Sequence, residues 1–339
     1  MSKWQLWVNT KEAWDKALLL SADNSVFQTF SWGEYKKLVG WRPERYFIMD
    51  NGNKIQGMAQ VLIKHLPFGF TFIWVSGGLV FKFPDFKMDE LAGLVHKLIL
   101  KLHKQYPRSL VRFNSHVNAD PMLSLQFNKV CSRPYAQLNS GFTVELNLNK
   151  SIDQLRKGMA SKHRYYTKRA VEVELTWVVA NDDHQLTILE SIYQEMVKEK
   201  KLLRNFFLLD ELFNMRENMG ENLIILTGFF GEVPVTSCLV LVFGKKAFYM
   251  TASTNKLGRD ISAGYAMFEQ LMRVLGERGV TEFDFGGVNL NKKSATGVNH
   301  FKIGFGGKVV EYLGEWESAS SKIVKLAINL AIRLKVGRR

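Results

Sequence analysis

Apolar residues along this chain recur with two periods, and the order in which those periods appear is used twice. Residues 45–50 are apolar-rich and run into an Asn51-Gly52-Asn53 turn; 55–63 is apolar-rich again, as a strand pair would be. A third strand is expected over 71–75. Across 88–104 the residues Leu91, Leu94, Val95, Leu98 and Leu102 fall at helical spacing, and 110–113 reads as a short strand.

The same order returns further along. Residues 223–230 reach a Gly231-Glu232 turn, 235–243 pairs back, and 247–251 is the next strand. Residues 262–277 carry Ala266, Phe268, Leu271, Met272 and Leu275 at helical spacing, and 282–285 closes the set. Matching pieces are offset by roughly 175 residues, which is an internal duplication rather than a short solenoid repeat. A β-β-β-α-β order is not the alternating βαβα of a dinucleotide-binding sheet. It is the order of an acyl-CoA N-acyltransferase-like (GNAT-like) lobe.

The expected fold is therefore α/β, with a first GNAT-like lobe over 1–150 and a second over 151–317. The second opens on a basic linker helix: Ser151 and Gln154 make a capping-box pattern, and the helix is expected to continue through Leu155, Met159 and Tyr166 to about Ala170. Residues 184–220 suffice for two modest helices, so a compact form without a long coiled-coil arm is expected. Residues 318–339 form a separate C-terminal helix.

At 339 residues the chain exceeds what one core fills, in keeping with two lobes. Its start lacks the apolar run of a signal peptide, and no stretch reaches the ~18–20 apolar residues of a membrane span. Cys131 and Cys238 are far apart and read as small buried apolar groups, not as a disulfide or metal site. A cytoplasmic protein, a monomer, is expected. Charge changes the picture more. Lys and Arg number 46 against 32 Asp and Glu, a net +14 that favours polyanionic partners such as nucleotides, RNA or an anionic membrane. No GxGxxG, Walker A or GxSxG pattern occurs, which argues against a dehydrogenase, an NTPase and an α/β-hydrolase.

Three stretches resemble the Fem family of peptidoglycan aminoacyltransferases. One contains Phe27, Trp32, Lys36 and Trp41, similar to the family's tryptophan–lysine–tryptophan segment. The next runs from Leu66 and Pro67 to Trp74, Gly77 and Gly78. The last joins Phe283, Asp284, Gly286 and Gly287 to Phe301, Lys302, Phe305, Gly306 and Gly307, then Glu311 and Gly314. The resemblance implies tandem GNAT-like lobes and a role in cell-wall biogenesis and cell shape. It implies transfer of an amino acid from aminoacyl-tRNA to an amine of a nucleotide- or lipid-linked muropeptide, without metal or redox cofactor.

Aminolysis of an ester passes through an oxyanion, and a fixed cation there contributes about 2.7–4 kcal/mol. Lys302 lies between phenylalanines and close to Gly304, Gly306 and Gly307, which permit close backbone approach to a substrate; a surface lysine on a short helix is the plainer reading. Asp284 either orients an amine or caps the glycine turn. Between Asp153 and Glu172 the chain carries Arg156, Lys157, Lys162, Arg164, Lys168 and Arg169 with no acid. So dense a run of like charge favours a bound anion over a simple solvated face. The resemblance implies a pyrophosphate-binding arginine here, matched by Arg164 or Arg169 with Arg164 preferred, and gives Lys36 a diphosphate of the acceptor. Several family members have an acid where Asn114 follows Phe113, so the resemblance supplies no carboxylate base at that point. Trp74, Tyr249 and Phe305 are candidates for a substrate groove, though core positions suit aromatics better. His116 and His300 read as isolated, satisfied groups.

A rival signal is the run from Arg259 to Gly264, a degraded GNAT acyl-CoA loop with Ser262 in place of a glycine. It supports an alternative: an acetyl-CoA- or acyl-CoA-dependent N-acyltransferase acting on an amino-sugar or polysaccharide precursor. Ser262 as a helix N-cap is the simpler account. Finally, 318–339 combines Ile323, Leu326, Ala327, Leu330, Ile332 and Leu334 with Lys322, Lys325, Arg333, Lys335, Arg338 and Arg339. Such a helix either docks on the fold or lies in the anionic inner face of a membrane.

Overall fold

A computed structural model describes residues 3–21, 23–81, 88–199, 209–292 and 295–337. Packing divides the chain into two units, Met1–Gly141 with Glu311–Arg339, and Phe142–Val310. The first unit runs β1 (Gln5–Leu6), α1 (Lys11–Leu19), α2 (Phe30–Leu38), β2 (Arg42–Met49), β3 (Ile55–His65), β4 (Thr71–Ser76) and β5 (Val80–Phe81). It continues with α3 (Met88–Gln105), β6 (Ser109–Asn118) and α4 (Pro121–Asn128).

The second unit runs β7 (Phe142–Asn147), α5 (Ile152–Gly158), α6 (Ser161–Val171), β8 (Leu175–Ala180), α7 (Asp183–Glu199) and α8 (Leu209–Met219). Then come β9 (Leu223–Phe230), β10 (Val233–Phe243), β11 (Lys246–Thr254), α9 (Lys256–Asp260), α10 (Ala263–Glu277), β12 (Glu282–Asp284) and α11 (Thr296–Ile303). Strand β13 (Lys308–Ala319) carries the chain back into the first unit, where α12 (Lys322–Gly337) follows.

In the first unit the strand order is β1-β2-β3-β4-β6-β13, with β5 on β3. Strands β2, β3 and β4 are antiparallel, while β4 and β6 run parallel from Thr71↔Ser109 to Ser76↔Asn114 because α3 crosses between them. The second unit has the order β7-β12-β11-β10-β9-β8. There β9, β10 and β11 are antiparallel, and β12 lies parallel to β11 after α10. Each unit thus repeats the expected order, as β2-β3-β4-α3-β6 and β9-β10-β11-α10-β12, the two-residue β5 apart.

The helical spacing of α3 puts Leu91, Val95, Leu98 and Leu102 in one core with Val61, Ile73, Val75 and Phe113. In the second unit, Phe268, Leu271, Met272 and Leu275 of α10 pack against Leu226, Val240 and Phe283. Helices α7 and α8 occupy the expected stretch; the residues between them lie outside those described.

Three local expectations change. The linker is two helices, because Met159 (ψ 152°) and Ala160 (ψ 149°) are extended. Ala160 N–H donates to Gly304 O at 2.9 Å, so a distant loop takes the donor a continuous helix would use. Residues 311–317 were expected in the second lobe, yet Gly314 to Ala319 pair antiparallel with β6 of the first unit. Ser262 occupies the N-cap position of α10 but does not cap it: its φ is 61° and its side chain makes no cap bond.

Candidate active site

Strands β11 and β12 stay paired only from Lys246↔Glu282 to Phe248↔Asp284. Beyond that point β12 stops and β11 runs on to Thr254, leaving a notch where backbone groups lack strand partners. Gly286 turns the chain at φ 72°, a conformation that side chains disfavour. A Cβ there would lie 3.1 Å from Tyr249 O and 3.7 Å from Lys302 Nζ.

Lys302, on the last turn of α11, reaches this notch and donates from Nζ to Gly287 O at 2.9 Å. Burial lowers its pKa to about 8, and the negative charge of Asp284 partly opposes that shift. Asp284 accepts from Gly286 N–H at 2.7 Å and from Thr143 Oγ1–H. Its carboxylate therefore shapes the glycine turn and also supplies Lys302 with a counter-charge. Tyr249 packs its ring 5.2 Å from Phe268 and 6.1 Å from Phe283, and borders the notch through its carbonyl.

Helix α11 is held from behind by α6. His163 is 6% exposed, and its Nε2 lies 3.0 Å from Phe301 O, so Nε2 carries the proton and donates. Its Nδ1 is buried without a partner among the described residues. Burial lowers the imidazole pKa, partly opposed by the bond to Phe301 O, and so favours the neutral ring. A Cβ on Gly304 would lie 2.0 Å from His163 Cε1, and one on Gly306 (φ 85°) 2.5 Å from Gly158 O. These glycines were expected to admit a substrate; they admit the α5–α6 joint instead. Phe305 is a correction too. It is fully buried, stacked 4.4 Å from Phe268 and edge-on 4.9 Å from His163, so it builds core and lines no groove.

The run of positive charge is partly spent within the unit. Arg156 pairs with Glu269 at 2.5 Å. Arg164 donates to Met159 O, to Lys157 O at 3.4 Å and to Ser161 Oγ at 3.2 Å, sealing the break between α5 and α6. Arg169 is exposed, 5.7 Å from the Tyr165 ring. In the loop that suggested acyl-CoA binding, Arg259 donates to Thr254 O at 2.5 Å and to Glu199.

In the first unit a side chain bridges β3 and β4 just past the point where their antiparallel pairing ends. Gln28 Nε2 donates to Ser76 O at 2.8 Å and to Gln60 O at 3.2 Å, and Gln60 N–H donates to Gln28 Oε1 at 2.7 Å. Lys36 lies elsewhere in that unit, its Nζ 4.6 Å from the rings of both Trp32 and Tyr35. Trp32 is buried, and its Nε1–H has no acceptor among the described residues. Trp74 stacks 6.2 Å from Phe72 and, half-buried, packs against the apolar cluster under α12 that holds Val324 and Ile328.

Residues 217–333, which include the whole notch, match the model of the FemAB family. That stretch of the chain is similar to this family. Among its relatives, the "Lipid II:glycine glycyltransferase" of Staphylococcus epidermidis is 21% identical over 414 aligned residues, covering 96% of this chain and 98% of the relative. The crystal structure of FemX superposes with a TM-score of 0.83 at 16% identity, covering 96% of this chain and all of that one. A tandem GNAT protein from the clavulanic acid biosynthesis pathway superposes at 0.54 with 12% identity, over 95% of this chain and 99% of its own. The fold is a tandem GNAT fold.

The structure brings Lys302, Asp284 and the Tyr249 carbonyl together in one notch, and places Lys36 and Trp74 in the other unit. A half-buried ammonium with one donor on Gly287 O keeps donors for an oxygen of a bound ligand. Among the described residues no group of acids, histidines and cysteines could hold a metal, and no helix is long and apolar enough to cross a membrane. His163 and Gln28 were missed by sequence reasoning. His163 had a signal: with Thr167 and Ala170 it marks the inward face of α6 at i, i+4, i+7. Gln28 had none, since a polar residue in a turn ordinarily faces water.

Proposed function

We propose that this protein transfers an amino acid from aminoacyl-tRNA to an amine of a peptidoglycan precursor, a UDP- or lipid-linked muropeptide. The observation that carries this is the half-buried Lys302 ammonium at the open notch of the second unit. Its relatives named for glycyl transfer to lipid II supply the substrate class. The acceptor amine attacks the ester carbonyl, the carbon–nitrogen bond forms and the ester carbon–oxygen bond breaks. The proton lost by the amine ends on the departing ribose hydroxyl. Lys302 stabilises the oxyanion between those events, and Asp284 holds the turn that positions it. The ester is already activated, so this chemistry calls for no metal or redox cofactor.

For the acceptor's phosphates we assign Lys36 and Arg169. Arg164, preferred from sequence, is the weaker fit because its donors already hold carbonyls of its own unit. We further propose a monomer at the cytoplasmic face of the membrane, where a lipid-linked acceptor resides. The test is transfer from charged tRNA to a UDP-linked muropeptide, followed by mass spectrometry of the product. A mass gain of one amino-acid residue that RNase abolishes is expected; transfer that survives RNase and demands acyl-CoA would overturn the reading in favour of an acyl-CoA-dependent enzyme.

A further inference from the structure

Helix α12 is apolar on two opposite faces, and the fold covers one of them. Val324 and Ile328 are 4% and 2% exposed against Phe72 and Leu110. Asn329, on the same side, accepts from Arg112 Nη2 at 2.8 Å and donates to Glu317 at 2.9 Å. On the other side Ile323, Leu326, Leu330 and Leu334 are 76%, 64%, 54% and 58% exposed. At 3.6 residues per turn these four fall within an arc of about 80°. That is a continuous stripe, and scattered surface leucines would not line up so.

Charge flanks it on one sign only. Lys322 and Arg333 are exposed, and 318–339 contains no Asp or Glu. The preceding acids, Glu315 and Glu317, are buried and engaged with Arg112. Lys325 turns inward to Ser132 Oγ at 2.6 Å.

A second apolar element borders the helix. Phe68, at the turn between β3 and β4, is 86% exposed. Its φ is 61°, a left-handed backbone in which a bulky side chain is uncommon. Pro67 precedes it, Gly69 follows at φ 72°, and Arg108 Nη1 donates to its carbonyl at 3.1 Å. Leu66 and Phe70 on either side pack into the cluster that seats Val324 and Ile328. The tip thus exposes an aromatic ring on a turn whose flanks pack into the cluster beneath α12.

We propose that the first unit docks on an anionic lipid bilayer, with the outer stripe of α12 in the interface and Phe68 as a second insertion point. Leucine, isoleucine and phenylalanine partition into the headgroup–acyl boundary, and flanking cations favour anionic headgroups. A second copy of the chain is the poorer occupant, since it would bring Lys322 and Arg333 against their own likeness. The proposal rests on the lipid-linked reading of the acceptor for its purpose, but its geometry is separate from the notch.

The experiment is sedimentation of the full chain with phosphatidylcholine vesicles, with and without phosphatidylglycerol. Wild type is expected to bind the anionic vesicles and to be released by salt. The variant L326S/L330S should bind at least about tenfold less, because it loses two inserted side chains. F68S should lose a few-fold, and K322E/R333E should bind no better than wild type binds neutral vesicles. Because these residues are exposed, thermal midpoints should not move. Transfer to a soluble UDP-linked acceptor should be unchanged in all three, while transfer to a vesicle-embedded lipid-linked acceptor falls. Wild type that binds neither vesicle overturns the proposal, and so does a wild-type dimer that L326S/L330S dissociates. Vesicle binding without transfer to either acceptor would sink the catalytic reading and leave this one standing.

Discussion

Lys302 donates to Gly287 O from a position where burial has drawn its pKa down to about 8. Near neutral pH it is still mostly a cation, and raising the pH removes the charge that an oxyanion would feel. The alkaline limb of kcat/KM should therefore fall as pH rises through about 8, even though the acceptor amine becomes more nucleophilic. In Lys302→Arg the guanidinium stays charged, so a slower enzyme without that limb is expected. Lys302→Ala should lower kcat by about 100- to 1,000-fold, as loss of one oxyanion donor does, with KM little changed. Steady-state kinetics across pH checks both, and an unaltered kcat would remove Lys302 from the mechanism. In sequence this residue was one lysine among 46 Lys and Arg, visible only through its glycine-rich surroundings. Its lowered pKa comes from burial, which no sequence period reports.

Helices α5, α6 and α11 meet through contacts too close for any side chain but hydrogen. Gly304→Ala would set a Cβ 2.0 Å from the buried His163 ring, and neither the ring nor the backbone can give way freely. A loss of about 1–3 kcal/mol is expected, as for overpacking in a tight core. Calorimetry measures it; an unchanged melting midpoint would mean that the ring relocates without cost. The apolar spacing of α3 and α10 was legible in sequence because each helix buries one face. The break at Met159 and Ala160 was not legible. That stretch has helical spacing, and only the loop at Gly304, more than a hundred residues on, takes up its backbone donor.

Across the whole molecule, the chain after residue 311 is tied to the first unit by a buried ionic network. Arg112, fully buried, bonds Glu317 at 2.6 and 3.1 Å, Asn329 at 2.8 Å and Ala136 O at 2.9 Å. Removing one member strands the others without water. Arg112→Met is expected to cost about 3–5 kcal/mol, and adding Glu317→Met should recover part of it, because one of the two buried carboxylates that faced the arginine is then gone while Glu315 remains. Urea unfolding of the two variants tests this; equal stability of R112M and wild type would contradict it. Arginine inside an apolar strand was the available clue. Its partner lies 205 residues away, so the pairing could not be read from the chain.

Sequence alone determined the duplicated β-β-β-α-β order, which apolar residues face each core, and the two-sided apolar and basic character of residues 318–339. These follow from periods of two and 3.6 residues, which local geometry imposes on any chain that buries one face. Tertiary structure alone decided that Gln28 bridges β3 and β4 past the end of their pairing, while Lys302 stands at the end of the parallel β11–β12 pair. It also decided that Gly304 and Gly306 serve helix packing, and that the chain returns to the first unit after residue 310. Each of those outcomes depends on which distant side chain wins a given buried hydrogen bond or few cubic ångströms of space, a competition settled only when the whole chain is in place.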